Sequence, residues 1–189
     1  SILHLFYEIL LGSEQLQKVY KKGGSMQAFQ ILDVKGFMGK LLLSSTFDAF
    51  LLSEATITTF NVFSIDGHFH PDFFSDQDEV DVSQTLSRWD QVRPFCLSLI
   101  KGKHTPLNFK IIFQLSPSNT EKLLTQGGIS LSPEDIEGLY LNIRYDGASL
   151  TCVTGTSLRL FTLDKTLEHT WDSMVGSFLK QKELPFERI

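Results

Sequence analysis

Long apolar runs are missing from this chain: none of its 189 residues belongs to a stretch long enough to cross a bilayer as a helix, which excludes that class of membrane protein. Cysteine is scarce. Cys96 and Cys152 are far apart and in no metal or redox spacing, so a disulfide scaffold, a zinc ribbon and a thioredoxin-type motif are all excluded. Both cysteines lie in apolar runs, which predicts buried free thiols and a reducing, cytoplasmic setting. There is no Gly-x-Ser-x-Gly elbow and no glycine-rich phosphate loop, so two common routes to catalysis have no sequence support. Excess basic charge is absent too. Seventeen Lys and Arg stand against 22 Asp and Glu, a net charge of −5, which argues against a protein coating nucleic acid over its whole surface but does not exclude a local basic strip.

Aromatic residues are abundant by contrast. Sixteen are phenylalanine, which predicts a Phe-rich interior or an exposed aromatic surface. Hydrophobic residues make up 42% and charged residues 21%, the proportions of a globular protein able to build a core.

Residues 1–22 have an amphipathic helical pattern, with Leu3, Phe6, Tyr7, Leu10 and Leu11 on one face. Acidic Glu8 follows the first apolar run, and neither a basic leader nor a small-residue cleavage site is present, so no signal peptide is expected. Lys21-Lys22-Gly23-Gly24-Ser25-Met26 leaves three readings open: a helix packing on the domain or a partner, an artificial linker, or translated ribosome-binding sequence ahead of a start at Met26. A single α+β domain is expected over 26–189.

From Ala28 a short strand is expected. Asp33 is placed as an N-cap ahead of a helix with a Val34, Phe37, Met38, Leu41, Leu42 stripe. Phe47–Ser53 and Thr56–Ile65 read as two strands closed by Asp66-Gly67, and 68–85 as an acidic loop. Trp89, Val92, Cys96, Leu99 and Ile100 have helical spacing, with Pro94 tolerable only near the first turn and Gly102 as a stop. Leu107–Leu115 reads as a strand. Ser116-Pro117 starts a helix that Gly127-Gly128 ends, and 129–137 reads as a loop. The stretch 138–163 predicts a β-meander with a tight Asp146-Gly147 hairpin, a turn at Gly155 and a third strand over Leu158–Leu163. Asp164 caps a last helix faced by Leu167, Trp171, Met174, Val175, Phe178 and Leu179. The fold class is therefore α+β, with antiparallel sheets and four to five helices. The halves 26–105 and 106–189 rhyme, which suggests two pseudo-repeated strand–helix–strand–strand units.

Two resemblances follow from particular residues. Phe29–Lys35, Thr58–Asn61, Ile100–Lys103, Thr105–Lys110 and Leu150–Leu158 resemble an uncharacterised family of small proteins from clostridial-type Firmicutes, over 26–182. That resemblance implies no activity. The meander Gly138–Thr162 is similar to the strands of bacterial DNA sliding-clamp domains, with Val153–Leu160 in the place of the clamp motif, although the Asp of that pattern is absent. It implies a non-enzymatic binding or assembly module acting on DNA or on a protein partner.

Two candidate sites emerge. Lys101, Lys103 and Lys110, with His104 beside them and Arg93 upstream, form the densest basic stretch. With Lys35, Lys40 and Lys122 on helices they could make one positive strip against phosphates; scattered surface lysines are the plainer reading. In His68-Phe69-His70-Pro71-Asp72 an extended backbone would turn both histidines to one face. With Asp72 or Asp76 they could hold a divalent metal for hydrolysis, although two solvated histidines also fit. Asp76–Asp81 lacks the glycine and glutamate of a calcium loop. Glu168, His169 and Asp172 suggest either an acid–base pair or a solvated helix face. The expectation is no obligate cofactor, with self-association open.

Overall fold

The computed structural model describes residues 26–189; the helix expected over 1–22 lies outside the described residues. Among the described residues seven strands form one antiparallel sheet and four α-helices pack on it, which makes the fold α+β. In chain order the elements are β1 (Ala28–Ile31), α1 (Val34–Leu43), β2 (Phe50–Thr58), β3 (Val62–Asp66), α2 (Trp89–Ile100), β4 (Asn108–Leu115), α3 (Pro117–Gln126), β5 (Ile136–Tyr145), β6 (Leu150–Leu158), α4 (Thr166–Gln181) and β7 (Phe186–Arg188). Short 3-10 turns sit at Pro71–Phe73 and Pro133–Asp135. The strand order is β3-β2-β4-β5-β6-β1-β7.

Helix starts follow local chemistry. The Asp33 carboxylate accepts the Gly36 N–H, and Ser116 Oγ accepts the Asn119 N–H ahead of Pro117, each satisfying a donor that a helix N-terminus leaves free. Asp164 Oδ1 accepts both the N–H and the hydroxyl of Thr166. Gly127-Gly128 end α3, with Gly128 at φ +60°, where a side chain would be strained.

All four helices contribute to the same interior on one face of the sheet. Phe37, Leu41, Trp89, Cys96, Leu124, Trp171 and Val175 meet the inward set of β2, β4 and β5, which includes Leu52, Ile57, Ile111, Phe113 and Leu141. Phenylalanine dominates the centre. Phe113 stacks on Phe50 at 5.4 Å, lies 5.8 Å from Phe47 and takes the Trp89 ring at 4.9 Å. The two indoles pin helices to backbone: Trp89 Nε1 donates to Leu41 O at 2.9 Å and Trp171 Nε1 to Tyr140 O at 3.0 Å. Cys96 and Cys152 are free and buried, and burial pushes the Cys96 thiol up to about 12. Among the described residues no helix is long and apolar enough to cross a membrane.

Several local expectations are corrected. β2 is one strand through the expected break at Ser53–Thr56, and the chain reverses at Thr59–Asn61 rather than at Asp66-Gly67. Gly67 serves close approach instead: a Cβ there would sit 1.8 Å from Leu52 O, and Ser87 N–H donates to Gly67 O as the chain passes back beside β2. The Asp146-Gly147 hairpin forms, but its connection runs over Asp146–Ser149 and only Gly147 has positive φ, at +97°. The Asp146 carboxylate accepts the Ala148 and Ser149 N–H groups, and these bonds hold it below the usual carboxylate range. The third meander strand is absent. Gly155 lies inside β6 opposite Tyr140, because the ladder to β5 continues past it to Leu158. Pro94 is the sixth residue of α2, beyond the first turn. The rhyme between halves holds in element order and not in pairing. β4 lies between β2 and β5, whereas β1 lies between β6 and β7, so no two-fold carries one half's strand order onto the other.

Candidate nucleic-acid interface

The reversal between β2 and β3 sets up the first site. Thr59 N–H donates to Asn61 O at 2.9 Å, and Asn61 Oδ1 accepts the Val62 N–H at 3.0 Å, a side-chain-stabilised turn. It lifts Phe60 out at 93% exposure, with the Phe63 ring edge-on at 5.8 Å. A second segment faces this turn. α2 ends where Lys101 N–H donates to Leu97 O at 2.7 Å, and Leu107 N–H donates to Thr58 O at 2.8 Å, so the intervening loop is fastened at both ends. Between them lies a cleft of about 720 Å³ lined by Phe60, Phe63, Leu99, Lys101, Lys103 and His104, with Leu107 at 65% exposure on its rim. No Asp or Glu occurs between Asp90 and Glu121, so the surrounding sequence adds no acid.

The six lysines of the expected strip do not converge. Lys101 and Lys103 line the cleft. Lys110 lies on the sheet face turned away from the helices, where Nζ is 2.5 Å from Glu54 Oε1. Lys40 is bonded to Lys182 O and lies 3.8 Å from Glu183, so it ties α1 to the end of α4. Lys35 and Lys122 are exposed on α1 and α3 and do not line the cleft. Arg93 makes a forked pair with Asp48, at 3.1 and 3.0 Å, and is structural. Sequence reasoning found the cations and missed Phe60, Phe63 and Leu107. The available signal was a phenylalanine inside a polar turn sequence, Thr58-Thr59-Phe60-Asn61.

The histidine cluster is also dispersed. His68 is locally extended, bridging Leu86, and its Nδ1 lies 2.5 Å from Asp66 Oδ1. The His68 backbone N–H also donates to that oxygen, and this bond most of all holds the Asp66 carboxyl below its ordinary range. His70 and Asp72 belong to the 3-10 turn that follows. Among the described residues no three His, Cys, Asp or Glu side chains are grouped to hold a metal ion. The acidic loop caps itself: Asp78 accepts from Ser75 and Asp81 from Ser83, which lowers both carboxyls. A groove of about 670 Å³ on the helix-free face holds the Asp66–His68 and Glu54–Lys110 pairs together, beside Tyr140.

The last helix departs from the solvated-face reading. Glu168 and Asp172 are buried against β6 while His169 points outward. Lys165 Nζ reaches Glu168 Oε1 at 3.2 Å, and Thr154 Oγ1 donates to Asp172 Oδ1 at 2.5 Å. Burial raises the Asp172 carboxyl above its ordinary value despite that bond.

A family model described as a family of unknown function, DUF5721, matches residues 40–187, which include both walls of the cleft. The chain belongs to that family. No curated protein matches the chain, and no solved structure does. Family membership therefore assigns no activity, and the chemistry of the site carries the functional argument.

Proposed function

We propose that this member of the family is a non-enzymatic binding module that takes single-stranded nucleic acid in the cleft between the β2–β3 turn and the α2–β4 loop. The observation that carries this reading is the meeting of Lys101, Lys103 and His104 with the exposed Phe60 ring and the half-buried Phe63 ring around one cleft. Cations neutralise phosphates, and exposed rings stack on unpaired bases without regard to sequence. A duplex hides its bases from such rings, so a single strand is the favoured form. The basic area is small and the molecule as a whole is acidic, so binding is local and salt-sensitive. This reading owes nothing to the clamp likeness, whose expected third strand does not form.

The test is fluorescence anisotropy with a labelled oligothymidylate and a duplex of equal length at low salt. Saturable binding of the single strand, tighter than that of the duplex and weakened by salt, is expected. No saturable change with the single strand, or tighter binding of the duplex, would overturn the proposal.

A further inference from the structure

β3 is an edge of the sheet, and its one charged residue, Asp66, stands at its very end. It contains no proline, no lysine and no bulge, whereas the opposite edge, β7, is only three residues long and carries Glu187 and Arg188. Val62 is 60% exposed, and Phe60 just before it is almost fully so. The two ends of β3 carry opposite charge. At its start stands the lip with Lys101, Lys103 and His104. At its end begins the segment 66–87, which contains Asp66, Asp72, Asp76, Asp78, Glu79 and Asp81 and no Lys or Arg. Five residues of strand span about 17 Å, about twice the screening length at physiological salt, so the two poles act independently.

We infer that β3 pairs antiparallel with β3 of a second copy of this chain, about a two-fold axis at Ser64. Antiparallel pairing is the arrangement that lays the acidic pole of each copy beside the basic pole of the other; parallel pairing would bring like charges together. With Ser64 opposite its own counterpart, Phe63 of each copy faces Ile65 of the other. Both residues lie on the helix side of the sheet, because they pair with the buried Ile57 and Ala55. That makes two aromatic–β-branched cross-strand contacts, a stabilising kind of pair in a sheet. The interface is isologous and closes at two, so growth into fibres does not follow.

This inference goes beyond the nucleic-acid reading. It is measured without oligonucleotide, so either can fail while the other stands. Sedimentation velocity over a concentration series, at low and high salt, is the experiment. The wild-type chain is expected to sediment as a dimer at low salt and to dissociate as salt rises. Ser64→Pro, which blocks strand addition at the edge, is expected to give a monomer with unchanged far-UV circular dichroism. Lys101→Glu with Lys103→Glu is expected to lose the dimer, and adding Asp76→Lys with Asp78→Lys in the same chain is expected to restore it. A wild-type monomer throughout the series would overturn the inference. So would a Lys101→Glu, Lys103→Glu dimer as tight as wild type, a readout that stands even if Ser64→Pro fails to fold.

Discussion

Removing both cleft lysines, Lys101→Ala with Lys103→Ala, tests the proposed interface by the form of the salt dependence rather than by loss of binding alone. Each phosphate neutralised on a single strand contributes about −0.7 to the slope of log K against log salt. Two lysines therefore account for about −1.4 of the slope. At about 0.1 M salt the same two contacts are worth about 1.4 decades in K, or about 25-fold, close to 1.9 kcal/mol. Phe60→Ala makes the opposite signature. Stacking is worth about 1–3 kcal/mol per base and carries no charge, so affinity falls at every salt concentration while the slope is unchanged. Lys110→Ala is the control, since its ammonium is engaged by Glu54 on the other side of the sheet. The assay is anisotropy titration of labelled oligothymidylate at five or so salt concentrations. A lysine variant whose line runs parallel to the wild-type line would refute the reasoning, as would a Phe60→Ala line of altered slope.

Three further outcomes follow from the fold. Phe113→Ala should cost about 4–5 kcal/mol, the upper end for such truncations, because it removes ring contacts to Phe47, Phe50 and Trp89 at once; Phe113→Leu should cost clearly less, and urea denaturation separates the two. Asp172 holds its proton more tightly folded than unfolded, so stability should fall as pH rises from the ordinary aspartate value through the raised one; Asp172→Asn should remove that segment of the melting-temperature profile and gain stability at neutral pH but not in acid. Gly147→Ala should cost about 1–3 kcal/mol by thermal denaturation, since φ is +97° and the new Cβ would meet Leu107 O at 2.9 Å.

Elements with strong local signals were legible in the residues themselves. Asp33, Ser116-Pro117 and Gly127-Gly128 sit where helix ends require them, since capping involves only a few neighbouring atoms, whereas the N-cap of α4 is Lys165 and the expected cap, Asp164, accepts the Thr166 N–H from one residue earlier. The inward stripe of α4 was equally clear from its period, with Leu167, Trp171, Val175 and Leu179 all buried. Errors fell where a long-range ladder outweighs local preference. Gly155 looks like a turn in sequence, yet pairing with Tyr140 holds it in β6. Asp66-Gly67 resembles a hairpin turn, yet the backbone crowding at Leu52 is what requires the glycine. Glu168 and Asp172 read as solvated, yet both are buried, with Lys165 bonded to Glu168 Oε1 and Thr154 to Asp172 Oδ1 while Glu168 Oε2 has no hydrogen-bond partner among the described residues.

The chain alone determined the α+β class, the helix ends, the Asp146-Gly147 reversal and the burial of both thiols, because each depends on short-range geometry or on hydrophobic period. Tertiary structure alone decided the strand order, which face of the sheet stays free of helices, and which lysines stand beside Phe60. Those depend on contacts between residues tens of positions apart, and spacing along a sequence does not encode which distant strand a given strand will meet.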